Sequence, residues 1–242
     1  MVGERVRVQK AIARSGLMSR RAAEEAIAAG RVGVNGRQVV LGDRVDVDED
    51  TLTIDGIPTP VDPRLETHLL YKPEGVISTA DDPRGRPTVV DLVDSETRLY
   101  PVGRLDADSE GLILVSNDGE LTNRVTHPSF GITKTYLAMV VGVPAAPALR
   151  RLTEGVDLDD GLASAQSVRL VDSHGDRALV ELVMGEGRNR EVRRMLEATG
   201  HPVTRLVRVA IGPITDPELA PGESRLLTAT EIRRLLESGT GS

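Results

Sequence analysis

The chain has no cysteine, no tryptophan, one phenylalanine and three tyrosines among 242 residues. Without cysteine it forms no disulfide, offers no thiolate to zinc and has no cysteine nucleophile. That composition suits a reducing compartment. Long apolar runs are missing too. The clearest uncharged stretch, Tyr136 to Leu149, is broken by Gly142, Pro144 and Pro147 and is too short to span a bilayer. The first residues are charged at once, with no apolar segment leading to a small-residue cleavage site, so no secretory signal is expected. A cytoplasmic protein with no membrane partner is the expectation. Familiar cofactor patterns are also absent. No glycine-rich loop ends in Gly-Lys-Ser/Thr, and Gly185-Glu-Gly187-Arg-Asn-Arg190 lacks the third glycine of a dinucleotide fingerprint. The four histidines (68, 127, 174 and 201) lack metal-ligand spacing. Neither a cofactor nor a metal is expected.

What is present suits a soluble globular protein: 39% apolar and 28% charged residues. At about 150 residues per domain, the length allows one large or two smaller domains. The net charge of -7 argues against nucleic acid, but binding answers to local potential. From Met1 to Val47, nine basic residues face five acids, so this segment is +4 and the remainder is -11. That asymmetry is the first functional clue.

Val8, Ala11 and Ile12 predict a short helix over 6–14, closed by Gly16. Ser19 is placed to cap a second helix carrying Ala22, Ala23, Ala26 and Ile27, with Gly30 just past its end. Asn35-Gly36 between apolar runs predicts a hairpin, and Val45, Val47, Leu52 and Ile54 supply further strands. Arg20 and Arg21 at a helix start would add two guanidinium groups to an end already suited to phosphate. Over residues 5 to 55 this order of motifs resembles the S4 RNA-binding domain. The resemblance implies RNA contacts from Arg5, Lys10, Arg14, Ser19, Arg20, Arg21, Arg31 and Asn35. Pro58, Pro60 and Pro63 mark a stiff connector. The expected division is 1–57 for the S4 domain, 58–66 for the linker, 67–238 for the second domain and 239–242 for a frayed tail.

In the second domain strands outnumber helices and short joins are common. This predicts an α+β fold with a mixed or antiparallel sheet. Acids crowd Gly103-Arg104-Leu105-Asp106-Ala-Asp108-Ser109-Glu110-Gly111 between two extended segments. They are either a polar loop with local caps or a carboxylate poised as a nucleophile at a strand end. Lys134-Thr-Tyr136 opens a strand with one of the few aromatic residues. From Gly185 to Arg208 six arginines face three acids, and a glycine turn leads into a basic helix.

Together, Lys72-Pro73-x-Gly75-Val, Gly103-Arg-Leu-Asp106, Asn117-Asp-Gly119, Lys134-Thr-Tyr136, Glu186-Gly-Arg-Asn-Arg190-Glu-Val-Arg193-Arg194-Met and Leu206-Val-Arg208 resemble the RsuA/RluB family of ribosomal RNA pseudouridine synthases. They occur in family order along nearly the whole chain. The resemblance implies isomerisation of a uridine in ribosomal RNA, or in a pre-ribosomal particle, with the large-subunit 23S branch favoured. It implies Asp106 as nucleophile, Tyr136 as active-site tyrosine, and Arg193 as the cation beside Asp106. Arg104, Lys134, Arg188, Arg190, Arg194, Leu206 and Arg208 would meet the RNA. Asp106 would attack the sugar C1′ or the base C6, and Tyr136 or Asp106 would take the C5 proton. The rival reading is a non-catalytic S4-type RNA-binding or ribosome-assembly factor. A weaker one is a carboxylate-pair hydrolase using Asp106 with Asp108 or Glu110. No heptad or apolar seam stands out, so a monomer is expected.

Overall fold

The computed structural model describes residues 5–15, 17–47, 49–59 and 65–239. They form two compact units. The first runs to Glu66 and includes Asp94–Leu99 and Asn117–Gly119; the second holds Thr67–Val93, Tyr100–Ser116 and the residues from Glu120 on.

The first unit opens with strand β1 (Arg5–Arg7), which passes directly into α1 (Val8–Arg14). The helix starts two residues later than its apolar spacing predicts. Arg5–Arg7 are held extended by antiparallel pairing with β4 (Arg44–Asp46), Val6 lying opposite Val45. The Ser19 hydroxyl caps α2 (Arg20–Ala28) by accepting from the Ala22 N–H, and Gly30 follows at φ 72°. Asn35 and Gly36, at φ 50° and 77°, make the tight turn between β2 (Val32–Val34) and β3 (Arg37–Gln38). With positive φ at both positions, this turn matches the twist of its strands. β5 (Leu52–Ile54) and β6 (Ile57–Pro58) complete a sheet of order β3-β2-β5-β6. Pro58, expected to begin the connector, thus pairs with Thr53 in the sheet. Gly16, Pro60, Pro63 and residues 240–242 lie outside the described residues. Val8, Ile12, Ala23, Ile27, Val32 and Leu52 are among the residues of a small core.

The second unit is built on one large sheet. Its elements are β7 (Thr67–Lys72), β8 (Tyr100–Val102), β9 (Glu110–Ser116), α3 (Gly119–Thr126), β10 (Lys134–Val141) and α4 (Ala146–Glu154). Then come β11 (Val156–Leu158), β12 (Gly161–Ala163), β13 (Ser167–His174), β14 (Arg177–Met184) and α5 (Glu191–Ala198). β15 (Val203–Ile211), β16 (Ser224–Leu226) and α6 (Ala229–Ser238) follow. The strand order is β13-β14-β10-β15-β9-β7-β16, with β8 also on β9. Neighbours are antiparallel except β15 and β9, which run parallel through Val207–Glu110 and Arg208–Gly111. The sheet is mixed, and the fold is α+β.

Helix α4 and the β11–β12 hairpin are not anticipated by the sequence reading. Pro147 lies in the first turn of α4, where a missing N–H leaves no bond unmade. The prolines there introduce a helix rather than a loop. Two apolar clusters lie on either side of the parallel pair. One joins Val140, Val180 and Leu182 to Leu152 of α4 and to Met195 and Leu196 of α5. The other joins Leu69, Leu112 and Leu114 to Leu121 and Val125 of α3 and to Leu235 of α6. At the junction Gly111 has φ 104°, and a Cβ there would lie 2.2 Å from the Arg208 carbonyl oxygen. Only glycine tolerates both the dihedral and the contact. No helix among the described residues is long and apolar enough to cross a membrane.

Candidate active site

The parallel junction brings four segments of the second unit together: the β8–β9 loop, the start of β10, the β14–α5 loop and the middle of β15. They enclose a cavity of about 380 Å³ whose lining includes Arg104, Asp106, Tyr136, Glu186, Arg190 and Leu206.

The loop that carries Asp106 is fixed from several directions. The buried Ser78 hydroxyl both donates to the Leu105 carbonyl (2.9 Å) and accepts from its N–H (3.0 Å). The Gly75 N–H donates to the Ala107 carbonyl at 2.7 Å, and the Ser109 N–H closes a turn on Asp106 at 3.1 Å. Arg208 is only 5% exposed and donates to the carbonyls of Leu112 and Arg104. Lys72 is wholly buried and donates to the carbonyls of Pro73 and Val76. Burial pulls its ammonium down to about 8, opposed by the charges of Asp108, Asp106, Glu110 and Glu74.

The crowded acids divide into two kinds. Asp108 takes both Arg190 terminal nitrogens, at 3.0 and 2.8 Å, and Arg190 holds its carboxyl below the ordinary range. Glu110 accepts from Nε and Nη2 of Arg205, at 2.8 and 2.9 Å, and its carboxyl is lowered likewise. Among the described residues Asp106 has one cation within ion-pair range, Arg190 at 4.0 Å, and its side chain remains one third exposed, at 33%. It is therefore the carboxylate least occupied by the fold and open to the cavity. Among the described residues no group of three or more His, Asp or Glu is arranged to hold a metal ion.

Arg193, the cation expected beside Asp106, lies nearer Asp108, and Arg190 is the cation 4.0 Å from Asp106. Arg193 reaches across from α5 to Asp108, donating to its carbonyl at 2.6 Å and lying 3.5 Å from its carboxylate. It also donates to the Val203 carbonyl. Arg190 stands nearer Asp106 because it caps α5 in a left-handed conformation, φ 49°, which turns its side chain onto the acidic loop. Such a conformation costs a non-glycine residue about 1 kcal/mol or more, and the paired carboxylate offsets it.

Other expected RNA contacts have partners in the protein. Arg188 is clamped by Glu186, lies near Glu191 and donates to the Leu162 carbonyl. Arg194 makes a bidentate pair with Asp160 in the β11–β12 turn. Arg208 is buried, so it orders the loop rather than presenting a surface charge. In the first unit Arg31 pairs bidentately with Asp55. Asn35 binds the Asp50 carboxylate and the Thr51 N–H, Ser19 caps its own helix, and Arg5 lies 3.7 Å from Asp50. By contrast Arg7, Lys10, Arg14, Arg20 and Arg21 make no ion pair among the described residues, and Arg104 makes none beside the cavity. Leu206 is buried at the cavity wall. Tyr136 is half-buried there, and its hydroxyl has no hydrogen bond among the described residues. Three supports carry no sequence signal of that role: Ser78, Lys72 and Asp160. Ser78 and Lys72 stand within or beside a quoted motif, but nothing in their spacing marks them as buried props.

Glu191 is buried behind Arg188, with Glu186 close by. Burial raises its carboxyl to about 6, and the neighbouring Glu186 adds to the rise.

Residues 66–198 match the RNA pseudouridylate synthase family, and residues 6–51 match the S4 domain. An uncharacterized RNA pseudouridine synthase of Mycobacterium leprae is 47% identical over 95% of this chain and 92% of its own. The ribosomal large subunit pseudouridine synthase B of Bacillus subtilis is 42% identical over 95% of both. Among solved structures, a crystal structure of pseudouridylate synthase is similar with a TM-score of 0.66 and 31% identity, covering 95% of this chain and 99% of that one.

Proposed function

Because this chain belongs to the RNA pseudouridylate synthase family and carries an S4 domain ahead of the catalytic one, we propose that it converts one uridine of large-subunit ribosomal RNA to pseudouridine, with Asp106 as the attacking group. The enzyme class, an RNA pseudouridine synthase, follows from the family; the substrate follows from the Bacillus subtilis relative, whose name specifies the large ribosomal subunit. The observation that supports Asp106 is the sorting of the acids. Its two near neighbours each serve an arginine, whereas Asp106 faces a cavity walled by Tyr136 and Leu206.

A base inside folded RNA must be extruded before it is reached, at a cost of a few kcal/mol. Cationic contacts with flanking phosphates offset that cost. In the cavity Tyr136 stacks on the uracil and Leu206 packs beside it. The Asp106 carboxylate attacks C1′ of the sugar or C6 of the base. The net change breaks the N1–C1′ bond, makes C5–C1′, and exchanges a proton at C5 for one at N1. Arg190 is the cation that stands 4.0 Å from the attacking carboxylate. The protein acts as a monomer in the cytoplasm, on ribosomal RNA or a pre-ribosomal particle.

Tritium release tests this reading. Ribosomal RNA carrying uridine labelled at C5 is expected to lose tritium to wild-type protein. Asp106→Ala is expected to slow release by more than about 10³-fold while RNA binding persists. Binding without release by wild type would favour an assembly factor and overturn the catalytic reading.

A further inference from the structure

The second unit holds two lysines whose ammonium groups donate to backbone carbonyls, Lys72 wholly buried and Lys134 half-buried, and they differ in their surroundings. Lys72 faces acids: Asp108, Asp106, Glu110 and Glu74 all act on it. Lys134 donates to the carbonyls of Val125 and Ile132, at 2.8 and 2.7 Å, and has no carboxylate within ion-pair range among the described residues. The charged neighbour that acts on it is another cation, Arg208. Arg208 is itself 5% exposed, makes no ion pair among the described residues, and has an Nη2 with no hydrogen-bond partner there. Two adjacent like charges, one buried and one half-buried, are costly without a counterion, since charges taken out of water need a partner of opposite sign.

These cations line a second cavity, of about 320 Å³, on which Arg104 and Tyr136 also open. Its lining includes Gly185 and Gly187, which bring no side chain into the space, and one acid, Glu186, already held by Arg188. Tyr136, Arg104, Glu186 and Gly187 border both cavities, so the second adjoins the first across the tyrosine.

We propose that the second cavity is a phosphate subsite, in which Arg104 and Lys134 receive a backbone phosphate next to the extruded uridine, with Arg208 behind them, and the RNA thereby supplies the counterion this region lacks. The inference rests on the reading that the chain binds RNA and deepens it by assigning one anionic group to one place. Arg104 is exposed and makes the direct approach. Lys134 has a third N–H beyond the two given to carbonyls. Arg208 contributes field from behind.

The chain contains three lysines, Lys10, Lys72 and Lys134, so carbon-13 lysine labelling gives a spectrum of three side chains. The probe is inorganic phosphate, titrated against sodium chloride of equal ionic strength. An anion seated beside Lys134 raises its titration midpoint by roughly one pH unit or more, and that of Lys72, already facing acids, stays in place. The low starting value of Lys134, about 8, makes the rise readable. A Lys134 midpoint unchanged by phosphate, or moved equally by chloride, overturns the proposal. A second measurement uses thermal unfolding. Phosphate should raise the Tm of wild type and of the Arg20→Ala plus Arg21→Ala double variant, but not of Lys134→Met. An equal rise in Lys134→Met also overturns it, and if that variant does not fold the titration decides. The titration needs no catalysis and tritium release needs no added phosphate, so the two readings fail independently.

Discussion

At the end of β1 and on α1 and α2, Arg7, Lys10, Arg14, Arg20 and Arg21 have no carboxylate partner among the described residues, whereas around the candidate active site Arg188, Arg190, Arg193, Arg194 and Arg205 each hold at least one. The two regions use the same side chain for different ends. An uncommitted guanidinium on a surface helix attracts phosphate at a distance and is screened by salt. One locked into a bidentate pair sets the position of a loop, and little of its charge is left for a ligand. The difference also runs through the first unit: three of its other arginines, Arg5, Arg31 and Arg37, face Asp50, Asp55 and Asp43. Most of the basic side chains of that unit that make no ion pair among the described residues therefore lie on its helices.

The largest effect that probes this division concerns buried charge on the catalytic side. Lys72 titrates near 8 in the folded protein and near its ordinary value, 10.5, when unfolded. Below pH 8 both states are charged and the full cost of burial is present. Between about pH 8 and 10.5 the folded state loses its proton first, so stability should rise with pH by roughly 3 kcal/mol from this residue. Urea unfolding of wild type and Lys72→Met across that window checks it, the climb being smaller in the variant. Equal climbs would mean that Lys72 is solvated and that the catalytic unit tolerates charge as a surface does.

Next in size is the loss of a positioning arginine. Arg190→Ala should lower kcat by about 10²-fold, the scale of a misplaced reacting group, with the salt dependence of RNA binding unchanged. A shallower salt slope with intact kcat would place Arg190 on phosphate and erase the distinction. The smallest effect belongs to the helices. Arg20→Ala plus Arg21→Ala should leave kcat intact and shallow the log-log salt slope by about 0.7 to 0.9 for each phosphate that is no longer neutralised. Arg31→Ala, already balanced by Asp55, should change that slope far less. Filter binding at several salt concentrations reads both.

The sequence carries these features unevenly. Ser19, Gly30 and Asn35-Gly36 announce their own backbone roles because caps and tight turns are local events. The acidic loop and the tyrosine are legible as a pattern of residue types. The identity of the arginine beside Asp106 is not, because it depends on a left-handed residue at position 190 and on how α5 meets β9 through β15. Arg208 reads as a surface cation in sequence and is buried in the fold, since its strand lies in the middle of the sheet. Ser78 and Asp160 gain their importance from partners 27 and 34 residues away. Helix α4 is hidden by prolines whose meaning depends on whether they stand in a first turn or an interior one.

Leu105 and Gly111 bound a short span of chain. At one end a single hydroxyl, that of Ser78, grips both polar atoms of the leucine backbone; at the other two strands touch with no room for a methyl group. Between these anchors the backbone has almost no slack. An inserted or deleted residue there would be absorbed by Asp106 itself, whereas the outer loops of the same sheet are free to grow or shrink. The distance along the chain from clasp to junction acts as a gauge for where the carboxylate sits, so length is constrained here for a reason separate from residue chemistry: a protein with every side chain in place and one residue too many would still misplace that carboxylate.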